Sequence, residues 1–70
     1  MMKVSKRFRA ELKTYNLPAY RVAQLAGVNP STLSKLVCGI ERVQSGDDRI
    51  TRVAKIIGMD PREAFEEIGV

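Results

Sequence analysis

The sequence predicts an all-α fold in which five short helices form one domain over residues 1–70. Two observations predict it, and a third limits what can stabilise it. Apolar residues recur at intervals of three and four along most of the chain, as on the buried face of a helix. Glycines and capping residues separate these periodic stretches. The chain has one cysteine and no histidine, so neither an internal disulfide nor a tetrahedral zinc site is expected to stabilise it.

The first predicted helix covers about residues 4–15. One apolar stripe runs along it, formed by Val4, Phe8, Leu12 and Tyr15. Asn16 tolerates the left-handed conformation and is expected to end the helix. Lys6 and Arg9 lie off the stripe, where they either contact an anionic partner or keep the helix solvated. The sequence leaves both roles open.

The second and third predicted helices, residues 19–26 and about 30–38, are joined by a glycine turn. The inward residues of the second helix are Val22, Ala23, Leu25 and Ala26, and those of the third are Leu33 and Leu36. Gly27 is expected to end the second helix, because glycine adopts a left-handed φ without steric cost. Asn29 is expected to cap the third helix, with Pro30 at its first position. Two short helices joined in this way form a helix-turn-helix.

Two capping signals predict the fourth and fifth helices. Residues 45–48 (Ser-Gly-Asp-Asp) provide a cap and an acidic first turn for a helix that extends to about residue 57, and Gly58 ends it. Asp60-Pro61-Arg62-Glu63 provides the next cap, for a helix over residues 61–68. The apolar residues near this end either close the core or form a dimer surface; they are Met59, Phe65, Ile68 and Val70.

Charge is distributed unevenly along the chain. Residues 1–42 contain eight basic and two acidic residues, a net charge of +6, whereas residues 43–70 contain four basic and six acidic residues, a net charge of −2. A positive potential around the helix-turn-helix favours a polyanionic partner over an ordinary solvated surface. No apolar run approaches the roughly 18 residues of a membrane span, and no signal-peptide core follows the first methionines. We therefore expect a soluble, cytoplasmic protein.

Residues 22–39 resemble the helix-turn-helix of the phage repressor and Cro-type (Xre-like) proteins. Five positions stand in family register: Ala23, Gly27, Leu33, Leu36 and Gly39. The resemblance extends over about residues 4–68 and implies a compact five-helix, lambda-repressor-like domain that binds duplex DNA. In this family the third helix is the recognition helix, which lies in the major groove.

The resemblance also implies roles for individual residues. Pro30 has no side-chain donor, so base reading is expected from Ser31, Thr32 and Lys35; hydroxyls pair with many base edges, and lysine favours guanine O6 and N7. Contacts with the DNA backbone are expected from Tyr20, Arg21, Ser34, Arg42, Lys6 and Arg9, with Gln44 as a further candidate.

The sequence departs from the family pattern at several positions. Pro18 and Ala19 stand where the family has a polar cap and a DNA-contacting glutamine. Leu12 and Val37 stand where it often has an arginine–glutamate ion pair, so an apolar contact is expected instead. Cys38 is interpreted as a small residue at a helix end.

The resulting functional hypothesis is a transcriptional regulator, a Cro-like repressor that binds a palindromic operator as a homodimer and excludes polymerase. The alternative is a helical protein-interaction module, or an antitoxin-like partner, with weak or no DNA binding; Ala19 and Pro30 favour it. The sequence offers no nucleophile–base pair and no phosphate-binding loop, so an enzyme is not expected. Neither a cofactor, a metal nor a small-molecule ligand is expected.

Overall fold

The structure, a computed structural model, describes residues 2–44 and 46–67. Within these residues the chain forms four α-helices: α1 (Lys6–Thr14), α2 (Ala19–Leu25), α3 (Pro30–Cys38) and α4 (Asp48–Ile56). It also forms two short strands, β1 (Met2–Val4) and β2 (Phe65–Glu67), and a single 3₁₀ turn, Pro61–Ala64, directly before β2. The order along the chain is β1, α1, α2, α3, α4, 3₁₀ turn, β2.

The prediction of an all-α, five-helix domain is therefore wrong at both ends of the chain. The strands β1 and β2 form an antiparallel sheet in which Met2 lies opposite Glu67, Lys3 opposite Glu66 and Val4 opposite Phe65. Met2 also forms an antiparallel bridge with Val43. The strand β1 thus lies between β2 and the loop that follows α3.

Ser5 explains why the first helix begins later than predicted. Its Oγ accepts a hydrogen bond from the Phe8 amide at 3.0 Å, and its backbone is extended, with φ −69° and ψ 155°. A residue that caps a helix has non-helical dihedral angles, so the chain before it leaves the helix. Val4 is still buried, with 4% of its surface exposed. Its assignment to the core is confirmed, but it reaches the core from a strand.

Ser5 also explains why the fifth helix does not form. Its amide donates to the Ala64 carbonyl at 2.8 Å and its hydroxyl to the Glu63 carbonyl at 2.7 Å. A longer helix would need these carbonyls for its own next turn. The chain instead becomes extended at Phe65 (φ −119°, ψ 147°) and pairs with β1. The predicted Asp60 cap is confirmed, but it begins a single 3₁₀ turn; Ile68 and Val70 lie outside the described residues.

The helix pair α2–α3 agrees with the prediction. Gly27 has φ +71° directly after Ala26, the C-cap of α2, and the Asn29 Oδ1 accepts a hydrogen bond from the Ser31 amide at 2.8 Å. Pro30 is the first residue of α3. In the described part of the chain, four residues have a positive φ, and all four are glycines. Asn16 therefore does not adopt the left-handed conformation that was expected of it.

The core draws on all four helices. Its largest fully buried side chains are Phe8, Val22, Leu33, Leu36, Ile50 and Val53. Ala23 and Ala54 are also fully buried, as expected where helices approach closely. Leu25 was expected to face inward but is 61% exposed. Met59 is only 6% exposed, so it closes the core and offers no dimer surface.

The fourth helix begins at Asp48, with Asp47 as its cap. The predicted capping residue Ser45 lies outside the described residues. In the described part of the chain, no helix has the length and apolar character needed to cross a membrane.

Candidate nucleic-acid interface

The outward face of α3 carries most of the predicted base-reading side chains. Ser31, Ser34 and Lys35 are exposed, whereas Thr32 is half-buried. Leu33 and Leu36, with 2% and 1% of their surface exposed, anchor the opposite face in the core. Thr32 therefore presents less of its side chain than predicted, and Ser31 and Lys35 remain as the fully exposed candidates for base reading.

Both ends of α3 are fixed by local hydrogen bonds. At the start the Asn29 side chain satisfies the Ser31 amide. At the end Gly39 has φ +80°, and the Ile40 amide donates to the Lys35 carbonyl at 2.9 Å. A left-handed residue followed by such a bond is a standard way to satisfy the last carbonyls of a helix. The exposed face of α3 is thus presented on a well-capped helix.

The predicted backbone-contacting residues are also exposed. Tyr20 (56% exposed) and Arg21 lie in the first turn of α2, and Arg42 lies in the loop after α3. Lys6 and Arg9 lie on the exposed side of α1, and Gln44 is exposed near the start of α4. Pro18 forms no side-chain cap on α2, unlike the caps of α1, α3 and α4.

Among the described residues, internal ion pairs neutralise five of the cations, and none of these five is a predicted DNA contact. The pairs are Lys3–Glu66 (3.6 Å), Arg7–Glu63 (2.9 Å), Arg49–Asp47 (2.9 Å), Arg49–Glu41 (3.7 Å), Arg62–Asp60 (3.1 Å) and Arg52–Asp48. Within residues 2–44 and 46–67, by contrast, no ion pair involves the five predicted DNA-contacting cations, which are Lys6, Arg9, Arg21, Lys35 and Arg42. Exposed pairs add little stability, but they cancel potential locally. The cations without an internal acidic partner therefore lie mainly on α1–α3 and the loop after α3; among the described residues Lys55 of α4 is the exception.

The two aspartates at the start of α4 have structural roles. The Arg49 guanidinium donates to both Asp47 carboxylate oxygens, at 3.1 and 2.9 Å, and the hydrogen bonds from its side chain hold the pKa of Asp47 below its ordinary value. The same contact raises the pKa of Arg49. Asp48 pairs with Arg52. The described residues contain no group of three His, Cys, Asp or Glu side chains placed to hold a metal.

An apolar recess of about 270 Å³ lies where α1, α2 and α3 meet. It is lined by Leu12 of α1, by Ala19 and Tyr20 of α2, and by Pro30, Leu33, Ser34, Val37 and Cys38 of α3. Leu12 and Val37, which were expected to replace an ion pair with an apolar contact, both face this recess. Sequence reasoning missed the recess because three separate helices form it.

Two further residues belong to this surface. Cys38 is exposed and follows Pro30 and Ser34 at intervals of four, so it lies on the recess side of α3. Lys13 is exposed and follows Lys6 and Arg9 at helical intervals, so these three cations share one side of α1. For both residues, their helical spacing in the sequence could have predicted these positions. The sequence did not show that Arg7, on another side of α1, pairs with Glu63.

Comparison of the chain with models of protein families, with curated proteins and with solved structures finds no match. The resemblance to the phage repressor and Cro-type proteins therefore rests on the residues quoted above.

Proposed function

We propose that this protein is a cytoplasmic, sequence-specific DNA-binding regulator, a Cro-like repressor that occupies a palindromic operator as a homodimer. In this proposal α3 lies in the major groove, Ser31 and Lys35 read base edges, and Thr32 contributes through its exposed part. The backbone contacts come from Tyr20, Arg21, Ser34, Arg42, Lys6 and Arg9. The protein acts by binding, so no catalytic step is assigned to it.

One observation carries the proposal: the exposed polar face of α3 lies among cations that no internal carboxylate neutralises. Of the cations on α4 and the 3₁₀ turn, Arg49, Arg52 and Arg62 have acidic partners, whereas Lys55 has none within the described residues. A surface that only kept the protein solvated would not need this separation. A surface that binds phosphates does, because an internal ion pair would compete with each phosphate contact.

Salt dependence tests the proposal. We expect fluorescence anisotropy with a random duplex to show tight binding at low salt, and log K to fall linearly with log salt at about −0.9 per phosphate contacted. Replacing the unpaired Arg9 by glutamine is expected to reduce this slope by about one contact. The matched change Arg62→Gln removes the same charge from a side chain paired with Asp60, and is expected to leave the slope unchanged.

The alternative function, a protein-interaction module, is favoured by a different observation. Three large apolar side chains are more than half exposed: Tyr20 (56%), Leu25 (61%) and Ile40 (74%). Exposed apolar side chains indicate a protein–protein contact where they form a contiguous patch. The titration separates the two functions, because affinity for duplex DNA that is absent, or that does not change with salt, contradicts the DNA-binding proposal.

A further inference from the structure

The recess between α1, α2 and α3 is apolar although it lies within the proposed DNA interface. Two of its lining residues, Tyr20 and Ser34, are proposed DNA contacts. Ser31 and Lys35, the exposed candidates for base reading, each neighbour a lining residue in the chain. A partner that covers the face of α3 would therefore also cover the recess.

The charges around the recess indicate the class of its occupant. A cation directly follows a lining residue on each of the three helices: Lys13 follows Leu12, Arg21 follows Tyr20 and Lys35 follows Ser34. All three cations are exposed, and none forms an ion pair within the described residues. An occupant that joins an apolar group to several negative charges would suit both the apolar lining and these exposed cations. In the major groove of duplex DNA, the C5-methyl of thymine is such an apolar group.

We infer that the recess receives the methyl-bearing edge of a thymine, an inference that rests on the proposed function. Ala19, Tyr20 and Pro30 then determine specificity at one base pair of each half-site. Ser34 also lines the recess, and its hydroxyl keeps the proposed contact with the DNA backbone. Pro30 has no side-chain hydrogen-bonding group, so its part in base recognition is apolar contact.

Deoxyuridine tests this inference, because it differs from thymidine only by the missing methyl group. An operator is first selected from a random duplex pool, and each thymidine of its half-sites is then replaced by deoxyuridine in turn. We expect about a fourfold loss of affinity at one position, as for one buried methyl group, and little change elsewhere. At that position, 5-methylcytidine is expected to bind more tightly than cytidine by a similar factor.

A variant that fills the recess tests whether the difference between thymidine and deoxyuridine arises there. Ala19 is exposed at the start of α2 and lines the recess. In Ala19→Leu, the difference between thymidine and deoxyuridine is expected to disappear, with folding checked by far-ultraviolet circular dichroism. Ala10→Leu makes the same change at an exposed position of α1 that does not line the recess. This control is expected to keep the full difference.

The remaining outcomes separate this inference from the proposed function. Equal losses at every thymidine, or a selected half-site without thymine, overturn the inference while salt-dependent DNA binding still supports the function. Absence of salt-dependent DNA binding overturns both. If Ala19→Leu keeps the thymidine effect but changes the sedimentation of the free protein, a second copy or another protein covers the recess and the inference is wrong.

Discussion

Lys35 and Arg42 have the same charge but different positions relative to the proposed groove. Lys35 lies on the exposed face of α3, one turn after Ser31 and opposite the buried Leu33 and Leu36. Arg42 lies beyond the end of that helix, in the loop before α4. In the proposed complex a long side chain on α3 would reach base edges, whereas a residue beside the groove would reach phosphates, which carry no sequence information.

Substitution of each residue tests this distinction. We expect Lys35→Ala to cost about 1–3 kcal/mol on the preferred operator and to relax selectivity at one base pair of each half-site. Arg42→Ala is expected to weaken binding to all sequences alike and to reduce the salt slope. The measurement is a titration of both variants against a panel of single-base operator changes. Equal losses across the panel for Lys35→Ala would assign Lys35 to the phosphate contacts.

Asp47 gives the stability of the fold a dependence on pH. Arg49 holds the pKa of this carboxyl below its ordinary value in the folded state, so the folded state favours the ionised form. The resulting stabilisation is complete above the unfolded pKa of about 3.9. It is lost as the pH falls through the lower, folded pKa.

The variant Asp47→Asn isolates this contribution. Its amide oxygen keeps the capping acceptor for the Arg49 amide but has no titrating charge. We therefore expect the free energy of unfolding, measured by urea denaturation, to fall less steeply below about pH 4 in this variant than in the wild type. Asp48→Asn removes a charge from the same first turn and controls for the helix dipole. Identical acid profiles for the wild type and Asp47→Asn would contradict the assignment.

At the scale of elements, Ser5 connects both ends of the described chain. Its hydroxyl accepts from the Phe8 amide and donates to the Glu63 carbonyl, and its amide donates to the Ala64 carbonyl. Ser5 is buried, with 5% of its surface exposed. A single side chain thus caps α1 and holds the 3₁₀ turn beside it.

Replacing Ser5 by alanine removes this hydroxyl and is expected to destabilise the fold. Ser5→Ala should lower the free energy of unfolding by about 1–2 kcal/mol, because it removes a helix cap and leaves the partly buried Glu63 carbonyl without its donor. Thermal denaturation should show a shift of about 4–8 °C for each kcal/mol in a domain of this size. The control Ser34→Ala changes the same group at an exposed position within α3 and should stay within about 0.5 kcal/mol. A shift no larger than that of the control would show that the Ser5 contacts contribute little.

At the scale of the whole molecule, the number of recognition helices decides the mode of binding. Each chain has one α3, which in the proposed complex would contact only a few base pairs, so we propose that two chains bind together. A homodimer on a palindrome places its half-sites about 34 Å apart, which is one turn of DNA. Met59 is buried in the core, and Phe65 is half-buried and packs against it. Neither residue is fully available for a dimer contact. Dimeric binding is therefore tested by changing the DNA and not these two side chains.

Changing the distance between half-sites provides that test. Inserting about five base pairs rotates one half-site to the opposite side of the duplex and is expected to abolish tight binding by two chains. Inserting about ten base pairs restores the rotational phase but doubles the separation to about 68 Å, so a dimer of fixed geometry is also expected to lose this operator. Gel-shift titration combined with sedimentation analysis measures the affinity and the number of chains bound. Equal affinity for all three spacings would show that the chains bind independently.

The sequence by itself determined the elements whose causes are local. Gly27, Asn29 and Pro30 define the turn between α2 and α3 through backbone conformation and capping, and the structure places these helix ends where the sequence predicts them. The periodic apolar residues also identified most of the core. The outward positions of Ser31, Ser34 and Lys35 follow from the same periodicity, because a helix with one buried face must expose the other.

Only the tertiary structure decided what depends on residues distant in the chain. A local pattern cannot show that Ser5 takes the carbonyls of Glu63 and Ala64, so residues 65–67 were predicted as helix but pair with β1. Whether a cation has an acidic partner also depends on residues distant in the chain, as for the ion pair between Arg7 and Glu63. The recess depends on the packing of three helices. In each case the deciding contact joins segments whose proximity results from burial of the shared core.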